Sequence, residues 1–246
     1  MSGLTEQIIE ALKDKAIPEK ALFFPRFFKT GPGEYGEGDL FWGVTVPDQR
    51  QIAKQFFKEI SLEELTLLIQ HPVHEVRLTG LLALVYRYEK AKSESEQKEL
   101  VNFYLSQLDF VNNWDLVDSS CYQILGHFYW KREKELFYEL ADSGHLWRQR
   151  VAMISSFYWI KKGEFADALA LAEKLIDHPH DLMHKAVGWM LREMGKRDPY
   201  LLKSFLKENA PQMPRTALRY SIEKLPESER RRWLAIKPSH QNDRRS

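Results

Sequence analysis

Apolar side chains recur every three or four positions along most of the chain, in segments that short polar turns separate. Residues 73–88 and 115–129 form two of these segments. This spacing places the apolar side chains on one face of a helix, so each segment is predicted to be helical. Ser61 begins another segment with Ser-Leu-Glu-Glu, a capping box that puts Glu64 at the third helical position. The pattern therefore predicts an all-α chain.

One stretch breaks the helical pattern. Residues 30–39 contain four Gly and one Pro, a composition that does not form a helix interior. We predict a surface loop or short hairpin over residues 30–43, with an acidic tip made by Glu34, Glu37 and Asp39. The glycines do not form a phosphate loop, because no Gly-Lys-Ser or Gly-Lys-Thr follows them.

The helical segments repeat. Aligning their starts places Trp114 opposite Trp147, Val117 opposite Arg150, and Asp118 opposite Val151, with aligned positions 77, 117, 150, 185 and 215. Helix pairs at this period are typical of an α-solenoid of HEAT- or armadillo-like repeats, which forms one curved domain with a concave face suited to a long ligand. We expect a single domain over residues 1–235, with loop 30–43 inserted, and a basic, disordered tail over 236–246. A basic residue recurs at the repeat starts: Arg77, Arg150, Lys185 and Arg215.

Composition and charge narrow the class of protein. The 246 residues are 43% hydrophobic, enough for a sizeable core, and the single Cys121 excludes an intramolecular disulfide. The first 15 residues mix charges with apolar residues, which is not a signal-peptide core, so we expect a soluble cytoplasmic protein. Residues 185–246 carry 15 Lys and Arg against 7 Asp and Glu, or +8, and the rest carries 21 against 28, or −7. A basic end is compatible with nucleic acid, and equally with a solvated helical face and a basic tail.

Residues 112–118 combine an indole and two carboxylates within about one helical turn. Trp114 and Asp118 are four positions apart, so on a helix they project from the same face. Such a pair suits a cationic species held against a π face and a carboxylate. Three structural interpretations compete with this one. Asp115 caps a helix, Asp118 pairs with Arg150, and the tryptophans at 114, 147 and 189 pack between repeats.

Other enzyme signatures are absent from the sequence. It contains no Gly-x-Ser-x-Gly, no His-Glu-x-x-His and no cysteine pair for zinc. Several histidines lie near two repeat turns, where we expect helix caps or exposed side chains. We predict no metal site and no cofactor. These histidines are His71, His74, His178, His180 and His184.

Three motifs stand in order along the chain: Asn113-Trp114-Asp115-Leu116-Val117-Asp118, Leu146-Trp147-Arg148-Gln149-Arg150, and Lys185-Ala186-Val187-Gly188-Trp189-Met190-Leu191-Arg192-Glu193. In these motifs the chain resembles the AlkD family of DNA alkylation-repair glycosylases, built of HEAT-like repeats, and the resemblance covers residues 4–233. The resemblance implies excision of cationic N3- and N7-alkylated purines from duplex DNA, without a metal and without flipping the base into a pocket. By the same resemblance, the catalytic Asp falls on Asp118, the lesion-contacting tryptophans on Trp114 and Trp189, and the essential Arg on Arg150.

The same resemblance predicts how DNA is held. Phe27 stands where the family usually has Tyr, which keeps the ring and removes a hydroxyl. We expect a monomeric, monofunctional glycosylase, a base-excision-repair hydrolase that binds duplex DNA and no membrane. Two alternatives stay open: a non-catalytic HEAT-repeat protein that binds branched DNA, and a protein-binding HEAT module. The predicted DNA-binding residues are Phe27, Arg77, Arg148, Lys185, Arg192, Arg215 and Arg219.

Overall fold

The computed structural model describes residues 3–237, and within that range every regular element is a helix, without a named strand. The all-α prediction is confirmed, whereas most of the predicted tail, residues 238–246, lies outside the described residues. A 3₁₀ turn at Leu108–Phe110 and a π-helix at Tyr122–Gly126 accompany the α-helices. The α-helices of the described residues are α1 Leu4–Lys13, α2 Pro18–Phe27, α3 Val46–Phe56, α4 Leu62–Ile69, α5 His74–Lys90, α6 Glu94–Ser106, α7 Trp114–Asp118, α8 Glu135–Asp142, α9 Leu146–Lys161, α10 Ala166–Leu175, α11 Asp181–Gly195, α12 Pro199–Asn209, α13 Arg215–Ser221 and α14 Glu227–Ala235.

The contacts divide the chain into two compact units, one ending at Phe128 and the other beginning at Tyr129. In the first unit, α5 is the central helix and packs against α3 and α4. In the second, α9 and α11 pack together, with α13 against α11. The predicted single domain over residues 1–235 stays a prediction. No helix within residues 3–237 has the length and apolar character needed to cross a membrane.

Local sequence signals set several helix starts. Ser61 and Glu64 form the predicted capping box, with Glu64 N donating to Ser61 Oγ at 3.1 Å and Ser61 N donating to Glu64 Oε2 at 3.0 Å. Pro18 and Pro47 lie in the first turns of α2 and α3, where a missing N–H costs no helical hydrogen bond. These short-range rules account for the starts of α2, α3 and α4.

The helix predicted over residues 115–129 is wrong as one continuous element. The α-helix ends at Asp118, a turn follows, and a π-helix begins at Tyr122. The hydroxyl of Ser120 donates to Leu116 O at 2.6 Å. This bond from a side chain to the carbonyl four residues back offers the backbone an alternative to the regular ladder. The consequence is that Trp114 and Asp118 lie on a helix of only five residues.

The Gly-rich loop consists of turns and not of a hairpin. Gly33 and Gly38 adopt positive φ of 75° and 87°, which a residue with a side chain rarely adopts. Glu34 and Glu37 accept main-chain N–H groups of the loop itself, those of Gly31 and Gly33. The prediction that Asp39 belongs to an acidic tip is wrong, because its carboxylate turns inward and is buried.

Candidate functional site

The start of α7 is fixed by polar side chains that precede and open the helix. Asn113 is fully buried, and its Oδ1 accepts a hydrogen bond from Trp114 N at 2.8 Å. Its Nδ2 donates to Asp39 Oδ2 at 3.1 Å. Asp115 is the second residue of α7 and accepts Leu116 N on Oδ1 at 2.9 Å. The N-cap is Asn113, so the interpretation of Asp115 as the cap is wrong. Both residues anchor the turn that carries Trp114.

Four charged side chains form a buried chain of contacts, which we call the charge relay of Arg77, Asp39, His74 and Asp115. Arg77 Nη2 lies 2.5 Å from Asp39 Oδ1. His74 Nδ1 lies 2.9 Å from Asp39 Oδ2, and His74 Nε2 lies 2.8 Å from Asp115 Oδ2. The relay therefore links the Gly-rich loop to α5, and it links α5 to α7. The helices α5 and α7 also pack directly against each other.

The two carboxylates keep His74 protonated. Burial alone would lower the pKa of this imidazole, but the charges and hydrogen bonds of Asp115 and Asp39 outweigh it and raise the pKa to about 9. Burial acts to raise the pKa of Asp39, yet His74 and Arg77 hold it below its usual value. At neutral pH the relay thus alternates positive and negative charges, the arrangement that best offsets the cost of burying them.

His74 is the residue that the sequence interpretation missed most clearly. The expectation of a capping or exposed side chain is wrong for it, because His74 is 2% exposed and bonded through both ring nitrogens. The sequence around His74 does not reveal that the side chain is buried and bonded, because its partners Asp39 and Asp115 are 35 and 41 positions away. No local pattern marks such contacts.

An aromatic cluster surrounds the ring of Trp114. The indole stacks on Phe28 with centroids 5.4 Å apart and an interplanar angle of 13°, and meets Phe27 edge-on at 5.9 Å. Phe28 and Phe41 also lie against the His74 ring, at 4.7 and 4.9 Å. Phe27 is half exposed, so the cluster reaches the surface at that residue.

Asp118 is the last residue of α7 and is half-buried. Its charge acts on Tyr104, whose pKa is raised well above the usual value, first by burial and additionally by Cys121 and Asp118. Trp114, four residues earlier, is also half-buried. The first unit thus holds an indole face and a carboxylate on one short helix, as the sequence spacing predicts.

The second unit holds Arg150 and Trp189. Arg150 lies in α9, is 4% exposed, and its Nη1 donates to Leu182 O at 2.5 Å. Trp189 lies in α11, is half-buried, and its ring centroid is 5.6 Å from that of Phe157. Gly188 fixes the position of this part of α11, because a Cβ there would lie 2.6 Å from Ala217 O on α13.

The predicted DNA-binding cations differ in their environments. Arg77 is buried in the relay, and Arg215 donates to Leu234 O at 2.6 Å and to Ile236 O at 3.2 Å. Lys185 pairs with Asp181 at 2.8 Å, and Arg192 pairs with Glu223. Arg219 is exposed on α13, and Arg148 is half-buried on α9. Contacts of these six residues with DNA stay a prediction.

Comparison with known proteins identifies relatives of the chain. A family model described as DNA alkylation repair enzyme matches residues 8–225. A solved structure described as a predicted DNA alkylation repair enzyme from Enterococcus faecalis is similar with a TM-score of 0.64 and 19% identity, over 87% of this chain and 98% of that one. At this identity the structure supports the fold alone. A comparison with proteins of curated function finds no match.

Proposed function

Because the chain belongs to the DNA alkylation repair enzyme family, we propose that it is a monofunctional DNA glycosylase that excises cationic N3- and N7-alkylated purines from duplex DNA. One observation carries the proposal: Trp114 and Asp118 share a five-residue helix whose start is anchored by Asn113 and the charge relay. A cation-binding ring and a carboxylate are thereby held in fixed positions. Such preorganisation is what stabilisation of a charged transition state requires.

The chemistry follows from the charge of the lesion. A purine alkylated at N3 or N7 is positively charged, so its N-glycosidic bond breaks with the electron pair leaving on the base. The sugar passes through an oxocarbenium-like state, which a nearby carboxylate stabilises, as in glycoside hydrolysis. In this proposal Asp118 stabilises that state and takes the proton of the water that adds to C1′. The base leaves from the duplex without first being flipped into a pocket.

The tryptophans and Arg150 receive binding roles. In this proposal each indole, that of Trp114 in the first unit and that of Trp189 in the second, offers a ring face for cation–π and C–H contacts with electron-poor groups of the bound DNA. Arg150 anchors a backbone phosphate, and its bond to Leu182 O orients the guanidinium. This is the most demanding assignment, because a phosphate must reach a side chain that is 4% exposed. Cations such as Arg219, exposed on α13, supply affinity that is independent of sequence and sensitive to salt.

The activity itself tests the proposal. Purified protein is mixed in excess with duplex DNA that carries a single 7-methylguanine or 3-methyladenine, and free base and abasic sites are measured. We expect both products to appear together, with no strand cleavage beyond that of abasic DNA. Folded protein that releases neither base would contradict the glycosylase. Tight binding to a four-way junction in that case would favour the non-catalytic alternative, and no DNA binding at all would favour the protein-binding module.

A further inference from the structure

Two buried hydroxyl groups, those of Tyr104 and Ser120, connect α6 to the end of α7, and we call them the hydroxyl pair. Both residues are 0% exposed, and their hydroxyl oxygens lie 2.9 Å apart. The Ser120 hydroxyl also donates to Leu116 O of α7 at 2.6 Å. A carbonyl oxygen only accepts, so the single hydrogen of Ser120 belongs to this bond. Tyr104 is therefore the donor to Ser120, and the hydrogen bonds run in one direction from α6 to α7.

The hydroxyl pair takes the place of a regular helix continuation after Asp118. In a continuing α-helix the main-chain N–H of Ser120 would donate to Leu116 O, but it donates to Val117 O at 3.1 Å instead. The Ser120 side chain supplies the hydrogen bond to Leu116 O. The last carbonyl groups of a helix have no partners within the helix itself. The hydroxyl pair therefore fixes a carbonyl group that lies only two residues before Asp118.

The Tyr104 hydroxyl keeps its proton over the whole neutral range of pH. Burial raises the pKa of this hydroxyl well above its usual value, and the charges of Cys121 and Asp118 raise it further. The donor to Ser120 is thus present whenever the protein is folded at neutral pH. The effect of Asp118 on Tyr104 also means that the carboxylate and the hydroxyl pair belong to one local environment.

We propose that Tyr104 and Ser120 are positioning residues for the reaction, and that they hold the carboxylate of Asp118 in place by fixing the C-terminal end of α7. The proposal rests on the proposed function, in which Asp118 acts on the sugar and the water. A helix of five residues has little stability of its own, and the anchor through Asn113 lies at its start. The hydroxyl pair anchors the opposite end. A displacement of about 1 Å is enough to remove much of the effect of a catalytic group.

Two variants separate positioning of Asp118 from a purely structural role of the hydroxyl pair. Ser120→Ala leaves the buried Tyr104 hydroxyl without its partner, which is costly, whereas Tyr104→Phe combined with Ser120→Ala leaves no unpaired hydroxyl. We therefore expect Ser120→Ala to unfold at a lower urea concentration than the wild type, and the double variant to regain part of that loss.

The single-turnover rate of 7-methylguanine release is expected to follow a different order from the stability. It should fall about tenfold in Ser120→Ala and stay low in the double variant, while the dissociation constant for duplex DNA stays within about threefold of the wild type. A rate that returns to the wild-type value together with the stability would make the hydroxyl pair a structural contact only and would overturn the proposal.

Hydrogen exchange followed by mass spectrometry tests the anchoring of α7 without DNA. The main-chain N–H groups at positions 119 and 120 donate to Asp115 O and Val117 O. In the double variant, the peptide that contains these two positions is expected to exchange faster than in the wild type, because the end of α7 opens more often. Unchanged exchange of this peptide would overturn the proposal, whatever the activity of the protein.

Tyr88→Phe is the matched control. It removes another buried tyrosine hydroxyl, which lies 2.7 Å from His127 Nδ1, and it should leave the rate and the exchange of the α7 peptide unchanged. The two proposals also fail in different ways. A folded wild type that releases no base would overturn the proposed function, whereas an active wild type with equally active Ser120→Ala and double variants would overturn the positioning role alone.

Discussion

The surroundings of α7 and of α11 use charge in different ways. Around α7, Asp39, His74 and Arg77 are buried and linked in series. Around α11, Lys185 pairs with Asp181 where both side chains are substantially exposed. Buried charges are costly to leave unpaired, whereas exposed pairs contribute little to stability. The first arrangement therefore fixes a helix in place, and the second leaves its cations near solvent, where a phosphate can compete for them.

The largest expected effect comes from breaking the relay. Asp39→Ala leaves His74 and Arg77 without a shared carboxylate, and removal of one partner from a buried pair costs about 3–5 kcal/mol. Urea unfolding followed by circular dichroism measures this loss. The matched variant Asp181→Ala, in the exposed pair of α11, is expected to cost less than about 1 kcal/mol. Equal losses in the two variants would remove the distinction between the two regions.

A second expected effect is that the free energy of unfolding depends on pH through the relay. The pKa of His74 is raised to about 9, so its contribution to stability is complete below the unfolded pKa and is lost as pH rises through 9. Between about pH 7 and 9.5 the free energy of unfolding is expected to fall by about 2 kcal/mol from this residue. Asp39 has a lowered pKa, so its contribution is lost only in acid, below its usual titration range.

His74→Gln provides the comparison, because it keeps a donor for one carboxylate and does not titrate. The difference in unfolding free energy between wild type and His74→Gln is expected to shrink as pH rises from 7 to 9.5. A difference that stays constant over this range would show that His74 is not protonated in the folded protein.

The smallest effect on stability is expected in α11, where a substitution should instead change the affinity for DNA. Lys185→Ala is expected to change the free energy of unfolding by less than about 1 kcal/mol and to reduce the salt slope of DNA binding by about one. Fluorescence anisotropy at several salt concentrations measures the slope. Lys174→Ala, which removes a cation paired with Asp142 at 2.7 Å, serves as the control and should leave the slope unchanged.

Elements governed by short-range rules were predictable from the sequence. The capping box of Ser61, the prolines at helix starts and the long apolar stripe of α5 all involve neighbours within four residues. The spacing of Trp114 and Asp118 likewise predicts their common helix. The interruption after Asp118 was not predictable from periodicity, because the Ser120 hydroxyl that bonds to Leu116 O also bonds to the Tyr104 hydroxyl, 16 positions away in the sequence.

The environment of the site was less predictable, because it depends on long-range contacts. From the sequence, Asp39 is predicted to be an exposed carboxylate of the loop. In the structure the loop folds back onto α5, which brings Asp39 into contact with His74 and Arg77. The arginines that recur at the repeat starts likewise have contacts that the sequence does not reveal. Arg77 and Arg215 donate to main-chain carbonyls, among them His71 O and Leu234 O, so their repetition has a structural cause besides any phosphate contact. Sequence recurrence located these residues without distinguishing the two roles.

The most direct test of the central claim is the single-turnover rate of 7-methylguanine release by Asp118→Asn, with DNA affinity measured in parallel. Loss of a preorganised charge at the reacting centre is expected to reduce the rate about 10²–10³-fold, while the dissociation constant for DNA stays within about threefold of the wild type. Asp142→Asn, a change at an exposed ion pair, should retain the full rate. A wild-type rate in Asp118→Asn would contradict the assignment of the reacting carboxylate to α7.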